Sequence, residues 1–219
     1  MLESRSGEDF LKAVYILQQQ SERVSTNALA ETLDIKAPSV TDMARRLESS
    51  GFLNYEKYRG VRLTERGLAV ALKLLRRHRL IELYLVEELG YALHEVHDEA
   101  EILEHNVSDR FVRALAEKMN DPDVDPHGDP IPDDQGVMIQ RDLVPLSEIS
   151  LHTPAIVARL RAEQTDMLQH ILDRGLHLNA AIEVTQRDPF EGPVTVMVDG
   201  QERVVGHTVA AVVWVEPEA

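Results

Sequence analysis

The chain has 219 residues, 43% of them hydrophobic and 28% charged, which is enough for one large or two to three small packed domains and excludes disorder by composition. It contains no cysteine, so disulfides, thiolate metal sites and cysteine nucleophiles are excluded, and a metal ion would need oxygen and imidazole ligands. No apolar run approaches the roughly 20 residues of a membrane span, and the first residues lack the basic and apolar regions of a signal peptide. We therefore expect a cytoplasmic protein without a membrane partner.

The charge is distributed unevenly along the chain, whose formal net charge is -15. Residues 1–80 hold 14 Lys and Arg against 10 Asp and Glu, whereas residues 81–219 hold 9 against 28. Only the first third of the chain therefore has the electrostatics of a DNA-binding domain.

Residues 8–20 carry apolar side chains at helical spacing and predict the first helix. Asp9 stands at the beginning of this helix. The helix dipole alone favours an acid at that place, so Asp9 needs no further role to explain its presence.

A helix-turn-helix is predicted next. Ser25 or Thr26 can cap a short helix over residues 28–33, and Pro38 opens a second helix that ends near Ser49, after a tight turn. Its polar side suits the DNA major groove, because short hydroxyls at a helix N-terminus approach bases and phosphates while arginines reach phosphates. The candidate DNA contacts on this helix are Ser39, Thr41, Asp42, Arg45 and Arg46.

Residues 53–64 follow as two alternating strands around a turn at residues 58–60. A hairpin after a helix-turn-helix is typical of a wing. Its basic side chains would lie against the phosphate backbone, and they are Lys57, Arg59 and Arg62.

A long helix with a broad leucine-rich face is predicted from Thr64 to about Leu89, where Gly90 ends it. That much leucine beside a small DNA-binding domain suggests a dimer interface, so we expect a homodimer. His78 and Glu82 lie one turn apart on this helix, so both side chains can contact the same ligand, although such a pair is more often a surface ion pair.

A further helix is predicted from His97 to about Asn120, and its first turns are the main candidate for a metal site. At about 100° per residue, two imidazoles and two carboxylates share one face, namely His97, Glu101, Glu104 and His105. Their repulsion would destabilise a bare helix, and a divalent cation among them would relieve it. The alternative is an ordinary solvated face, but the apolar residues beside it favour partial burial.

Residues 121–136 are rich in Pro, Asp and Gly and predict a turn-rich linker at a domain boundary. His127 within this segment is interpreted as ordinary loop chemistry rather than a metal ligand. The remaining residues predict a strand and a short helix ending at Gly175, and then three or four short strands separated by turns. That pattern indicates a small β-barrel or SH3-like domain.

Several stretches, in order along the chain, resemble the metal-dependent repressor family that includes the diphtheria toxin repressor and the manganese transport regulator. They are EDFLKAVY, SVTDMARRLESSGFL, NYEKYRGVRLT, RRHRLIELYL, VHDEAEILEH and PHGDPIP. The resemblance implies a mainly α chain with small β elements. It divides the chain into a winged helix-turn-helix over 1–73, metal-binding and dimerisation helices with a linker over 74–136, and an SH3-like β-barrel over 137–219.

The resemblance also implies two groups of metal ligands. The first group falls on Asp9, Glu101, Glu104 and His105, and the second on His78, Glu82 and His97. Iron-type members have Met in place of Asp9 and Cys in place of Glu101, whereas manganese-type members have Asp and Glu. The implied ion is therefore Mn²⁺, which hard carboxylates also favour, with Fe²⁺ or another divalent transition metal as the alternative.

Two positions depart from the family pattern. The short manganese regulators carry Glu where this chain has Lys12, and that residue belongs to their paired-metal cluster. In the third domain, iron-type members contribute a Glu and a Gln as ligands. This chain has Glu163, Gln164 and Asp166 near the equivalent place, and we assign no ligand among them.

The sequence thus predicts a manganese-responsive regulator of transcription that binds double-stranded operator DNA and, by resemblance, represses metal-uptake genes. In this hypothesis the acids of the first group repel one another until Mn²⁺ ties the first helix to the dimerisation helices and spaces the two recognition helices for a pseudo-palindromic operator. We expect no enzyme activity and no small organic substrate. A carboxylate-bridged metalloenzyme would need two Glu-x-x-His motifs, and a regulator of organic ligands would leave residues 97–105 unexplained.

Overall fold

The computed structural model describes residues 4–162 and 164–218 and consists of two compact units. The first unit comprises the chain up to residue 78 together with 103–108 and 132–137. The second comprises residues 79–102, 109–131 and the chain from 138 onward. Nowhere in the described ranges does a helix combine the length and the apolar character that crossing a bilayer would need.

The first unit contains the predicted winged helix-turn-helix. Its elements are α1 (Arg5–Gln18), α2 (Thr26–Thr32), α3 (Ala37–Ser49), β1 (Leu53–Glu56) and β2 (Gly60–Leu63). Ser25 caps α2 as predicted, because its hydroxyl oxygen accepts a hydrogen bond from the Ala28 amide at 3.1 Å. The strands pair antiparallel, with Leu53 opposite Leu63, and form the wing.

The first helix begins at Arg5, three residues earlier than the apolar spacing predicts. The Ser4 carbonyl accepts hydrogen bonds from the amides of Gly7 and Glu8, and these bonds start the helix ahead of its first apolar residue. Asp9 consequently lies in the second turn of α1 rather than at its beginning, so the helix-start explanation of this acid is wrong.

The core of this unit is the inward face of the three helices and of the wing. Phe10, Leu11 and Val14 of α1 are fully buried. They belong to one apolar cluster with residues of α2, α3 and both strands, including Leu29, Val40, Leu47, Leu53 and Val61. The packing fixes the orientation of α1 and thereby of the polar residues on its other side.

The long helix is α4 (Glu65–Leu89), close to its predicted bounds. Four leucines of the leucine-rich face are buried within the chain itself, namely Leu75, Leu80, Leu83 and Leu85. Leu68 keeps 38% of its surface exposed. The leucine spacing therefore arises mainly from side chains that are buried within one chain. It supports a dimer interface less strongly than the sequence alone suggests.

The predicted helix from His97 to Asn120 is two helices, α5 (Val96–Glu104) and α6 (Asp109–Lys118). The amides of Asn106 and Val107 both donate to the Leu103 carbonyl, which ends α5, and Asn and Ser side chains favour such breaks because they compete for backbone groups. His105 therefore lies in the turn after α5. The predicted single helical face does not extend to it.

The C-terminal part of the second unit is an antiparallel sheet with two short helices. In chain order its elements are β3 (Val144–Pro145), β4 (Pro154–Leu160), α7 (Thr165–Leu172), β5 (Ala181–Arg187), β6 (Val194–Val198), β7 (Gln201–Val205), α8 (His207–Val212) and β8 (Val213–Pro217). The strand order is β3-β8-β4-β5-β6-β7. Within the described residues the edge strands β3 and β7 do not pair with each other, so the sheet is open and the predicted closed barrel is wrong. A strand of only two residues at one edge offers too few hydrogen bonds for closure.

Candidate metal centre

Three polar side chains of the first unit converge where α1 meets residues 104 and 105. His105 Nε2 lies 2.7 Å from Asp9 Oδ1 and 3.4 Å from Glu104 Oε1. One ligand atom from each of these three residues lies within 4.8 Å of the others. Two carboxylates and an imidazole in contact are a donor set that suits a divalent transition-metal ion, so the residues present fit such an ion.

Glu104 is the most enclosed member of this cluster, with no exposed surface. Its Oε1 accepts a hydrogen bond from Lys12 Nζ at 2.7 Å, and its Oε2 lies 2.8 Å from His78 Nδ1. The other face of His105 contacts Glu8, with Nδ1 3.2 Å from Oε2. The carboxylates are thus paired with nitrogen groups, and the mutual repulsion expected from the sequence is offset within the protein.

The electrostatics of Asp9 reflect its half-buried position. Burial raises the pKa of Asp9 above its ordinary value, while the neighbouring His105 and the charge of Lys12 lower it. Glu104 raises the pKa of Asp9 further, as a like charge should. A cation beside Asp9 would offset both the burial and the neighbouring Glu104 carboxylate, which together make the charged form of Asp9 unfavourable.

The remaining predicted ligands lie on α4 and α5. His78 and Glu82 are both buried and are one turn apart on α4. Glu82 Oε1 lies 3.3 Å from His97 Nδ1, although the His97 side chain is 65% exposed. Glu101 lies on α5, 4.0 Å from His97 Nε2, with 43% of its side chain exposed.

A second cluster, which the sequence did not predict, lies within the second unit. One ligand atom each of Glu82, Asp125 and His127 lies within 4.8 Å of the others. The sequence favours ordinary loop chemistry for His127 and indicates no role for Asp125. The one signal available was the run Asp125-Pro126-His127, which places a carboxylate and an imidazole two residues apart, and that spacing is common in loops without a metal.

The loop that carries this cluster is ordered by its own backbone. Asp125 Oδ1 accepts hydrogen bonds from the amides of His127 and Asp129, both at 2.9 Å, and Val124 forms a bridge with Pro130. The His127 carbonyl accepts a hydrogen bond from the Leu160 amide at 2.8 Å, which ties the loop to β4. The turns predicted for residues 121–136 are present, but Asp125 within them is buried.

Two arginines partly balance Asp125 of this second cluster and the neighbouring Asp129. Arg79 Nε lies 3.4 Å from Asp125 Oδ2, and Arg159 Nε lies 3.3 Å from Asp129 Oδ1. Burial nevertheless raises the pKa of Asp125 to about 7, with a further contribution from the charge of Asp129. Burial also lowers the pKa of His127, which keeps its imidazole neutral and available as a ligand.

Of the three third-domain positions, the two that the structure describes join no cluster of metal ligands. Glu163 lies outside the described residues. Gln164 is the N-cap residue of α7, and Asp166 lies in the first turn of that helix, where the helix dipole favours an acid.

The candidate DNA contacts lie on α3 and the wing of the first unit. On α3, Ser39, Asp42, Arg45 and Arg46 are exposed, and Thr41 is partly exposed with its hydroxyl donating to the Ala37 carbonyl. A groove between α2, α3 and the wing is lined by residues that include Thr41, Arg45, Lys57 and Arg59. On the wing, Lys57 Nζ lies 4.9 Å from the Tyr58 ring centroid, and Arg59 pairs with Glu56 at 3.1 Å.

Comparison with known proteins finds similarity over nearly the whole chain. Three family models match: the iron dependent repressor N-terminal DNA binding domain at residues 3–61, the iron dependent repressor metal binding and dimerisation domain at 64–133, and the FeoA domain at 144–217. The iron-dependent repressor IdeR of Mycobacterium tuberculosis (strain ATCC 25618 / H37Rv) is 34% identical over 222 residues, which cover 95% of this chain and 96% of that protein. The chain belongs to the family of metal-dependent transcriptional repressors.

Other members of this family are similar in sequence or in structure. The diphtheria toxin repressor of Corynebacterium diphtheriae is 28% identical over 205 residues, covering 89% of each chain. A solved manganese-dependent transcriptional repressor in complex with manganese superposes with a TM-score of 0.88 at 35% identity, covering 97% of this chain and all of that one. ScaR with bound Zn²⁺ superposes with a TM-score of 0.78 at 34% identity, covering 96% and 98% of the two chains. The chain is accordingly a metal-responsive, DNA-binding transcriptional regulator, and both iron and manganese occur among the names of its relatives.

Proposed function

We propose that this protein is a manganese-activated repressor that binds operator DNA as a homodimer. The observation that carries the proposal is the cluster of Asp9, Glu104 and His105, which joins the first helix of the DNA-binding domain to the end of α5 through ligand atoms in contact. A divalent ion bound there would supply positive charge that Asp9 and Glu104 share. The three side chains would then hold α1 in one position relative to residues 104 and 105.

The choice of manganese rests on the chemistry of the donors. The cluster offers carboxylate oxygens and imidazole nitrogen, and the chain has no cysteine that would favour a softer ion. Repressors named for manganese and for iron both occur among the relatives, so Fe²⁺ is the alternative. The regulated genes would then be those for metal uptake.

The buried cluster of Glu82, Asp125 and His127 is proposed as a second metal site. It combines two buried acids with an imidazole that burial keeps neutral. His97, which contacts Glu82, is a further candidate ligand there. Glu101, one turn before Glu104 on α5, and His78 on α4 stay predicted ligands on the strength of the family pattern.

DNA contact is assigned to α3 and the wing. Ser39, Thr41, Asp42, Arg45 and Arg46 would face the major groove, and Lys57 and Arg59 would face phosphates, as the groove that Thr41 and Arg45 share with the wing suggests. The proposed organisation keeps a DNA-binding domain over 1–73, metal-binding and dimerisation helices over 74–136 and an SH3-like domain over 137–219. The homodimer is supported by the dimerisation model matched at 64–133.

The decisive experiment removes one ligand from the helix that carries the DNA-binding domain. Asp9→Ala should leave a folded dimer, because Asp9 lies outside the apolar core of the first unit. It should abolish the metal-dependent gain in operator affinity, which for an allosteric coupling is about 5- to 150-fold. Fluorescence anisotropy with labelled operator, with and without Mn²⁺, measures the gain, and sedimentation measures the dimer.

Glu31→Ala is the matched control, since it removes an exposed acid from α2 of the same unit. It should keep the full response to Mn²⁺. Native mass spectrometry should find two Mn²⁺ ions per wild-type chain and one in Asp9→Ala. A full Mn²⁺ response in Asp9→Ala would exclude the switching role of this cluster, and dissociation into monomers would make the metal structural.

A further inference from the structure

Lys12 is the only lysine among the described residues that is buried, with 8% of its surface exposed. Lysine is almost never buried without a partner, because removing its charge from water is costly. Its partner is Glu104, 92 residues away along the chain, at 2.7 Å from Nζ to Oε1. The ion pair therefore links α1 to the end of α5 without any metal.

The oxygen that Lys12 holds is also the one that faces the metal-ligand cluster. Glu104 Oε1 lies 3.4 Å from His105 Nε2, whereas Oε2 points to His78 Nδ1 at 2.8 Å. An ion coordinated by Glu104 Oε1 and His105 would therefore approach the Lys12 ammonium closely. Two cations on one carboxylate oxygen repel each other strongly in a buried site.

The charge of Lys12 also affects Asp9, another member of the cluster. It lowers the pKa of Asp9, in the direction a bound cation would also produce. At the same time, if Lys12 were removed, the Glu104 carboxylate would stay buried and would contact the imidazoles of His78 and His105 without an ammonium beside it. The positive charge of Lys12 thus stabilises the carboxylates of Glu104 and Asp9, as the charge of a metal ion would.

We propose that Lys12 is a tethered competitor of the activating metal. Its ammonium neutralises Glu104 when no metal is bound, and a divalent cation coordinates Glu104 only by displacing it. The competition sets the metal concentration at which the protein responds. This inference rests on the proposed metal site at Asp9, Glu104 and His105, and it adds a residue that sets the affinity of that site without being a ligand.

The test is a direct measurement of Mn²⁺ affinity in the full chain. Lys12→Met keeps the unbranched stem and removes the ammonium, so its dissociation constant for Mn²⁺ should fall about 10- to 100-fold in isothermal titration calorimetry, as expected for the loss of a competing hydrogen bond between charged groups. After chelation, the thermal midpoint of the variant should be several degrees below that of the wild type. Lys12→Arg keeps a competing cation and should bind Mn²⁺ no more tightly than the wild type.

Lys118→Met is the matched control, because Lys118 also pairs with one glutamate, Glu88 at 2.9 Å, but in an exposed position. Its Mn²⁺ affinity and thermal midpoint should stay unchanged. Unchanged or weaker Mn²⁺ binding in a folded Lys12→Met protein would overturn the competition.

A measurement on the wild type covers the case in which the variant does not fold. Acetylation of Lys12, followed by mass spectrometry relative to Lys118, should be slow without metal and should accelerate with Mn²⁺. Equal protection in both states would show that the ammonium stays on Glu104 and would overturn the proposal. If the wild type and Asp9→Ala bind Mn²⁺ equally, the proposed function fails. If the wild type binds Mn²⁺ more tightly than Asp9→Ala but Lys12→Met binds it no more tightly than the wild type, only the role of Lys12 fails.

Discussion

Two buried carboxylates of this protein are stabilised in different ways. Glu104 has an ammonium on one oxygen and an imidazole on the other. Asp125 has backbone amides on one oxygen, but its nearest arginine contact is 3.4 Å and another acid, Asp129, lies close by. Burial therefore raises the pKa of Asp125 to about 7, and part of its charge is lost near neutral pH.

The pH dependence of stability should show this difference for Asp125. Its folded-state pKa of about 7 is above the ordinary value of 3.8, so the folded state binds the extra proton between about pH 4 and 7. This contribution to stability is complete below pH 4 and is lost as the pH rises through 7. The slope it adds is at most about 1.4 kcal/mol per pH unit.

Asp125→Asn removes the titration and should flatten the curve. Urea unfolding of chelated protein at several pH values from 5 to 8 should show the wild type losing stability relative to the variant as the pH rises. Asp166→Asn, at an exposed helix start, is the control and should run parallel to the wild type. Parallel curves for wild type and Asp125→Asn would contradict the raised pKa.

At the scale of the elements, two short segments position functional residues: the turn after α5 and the wing. The turn places His105 beside Asp9 instead of leaving it on a continuous helical face. The wing is fixed by two backbone hydrogen bonds between Val24 and Val61, both 2.9 Å long. Both elements depend on local backbone geometry as much as on side chains.

Gly60 is the position where the wing depends on that geometry. Its φ is +96°, and an added Cβ would lie 2.1 Å from the Val24 carbonyl oxygen. Gly60→Ala should therefore break the Val24–Val61 bridge and lower the free energy of unfolding by about 2 kcal/mol or more. Gly200→Ala has a similar φ of +79° but open space around its Cβ, so it should lose only about 1 kcal/mol. Equal losses in chemical denaturation would show that the close approach to Val24 is unimportant.

The basic tip of the wing should act through phosphates. Lys57 and Arg59 are exposed, with the Arg59 side chain 74% accessible, and long exposed cations of this kind reach phosphates more readily than base edges. Lys57→Ala and Arg59→Ala should each weaken operator and unrelated DNA alike and lower the slope of log affinity against log salt by about one. Lys118→Ala should leave the slope unchanged. A loss confined to operator DNA would mean that the wing reads bases.

At the scale of the whole molecule, charge is divided unevenly between the DNA-binding elements and the rest of the chain. The basic first third of the chain carries α3 and the wing, and most of the acids follow residue 80. If Mn²⁺ raises operator affinity, thermodynamic linkage requires that operator DNA raise Mn²⁺ affinity by the same factor.

This reciprocity can be measured with the wild-type protein. Titration of Mn²⁺ with and without saturating operator should give dissociation constants whose ratio equals the metal-dependent gain in operator affinity. A DNA duplex of unrelated sequence at the same salt concentration is the control and should give a smaller ratio. Unequal factors for the operator would mean that the ion acts by another route, such as a change in oligomeric state.

The sequence by itself determined most of the local structure and the class of protein. The Ser25 cap, the turn before Pro38 and the alternating wing strands depend on neighbouring residues, and all of them are confirmed. The resemblance of ordered motifs led to the metal-dependent repressor family, which the comparisons show. The metal ligands and DNA contacts stay predictions, although three of the predicted ligands lie in contact.

The tertiary structure decided the features that depend on distant residues. Lys12 and Glu104 are 92 residues apart, and Glu82 and Asp125 come from different elements, so no periodicity relates them. Whether α5 and α6 form one helix, or a short edge strand closes a sheet, depends on small differences between competing hydrogen bonds that local propensity does not resolve. Burial makes these contacts energetically important, because a charged group removed from water must be neutralised by a counter-charge, a proton or a metal ion.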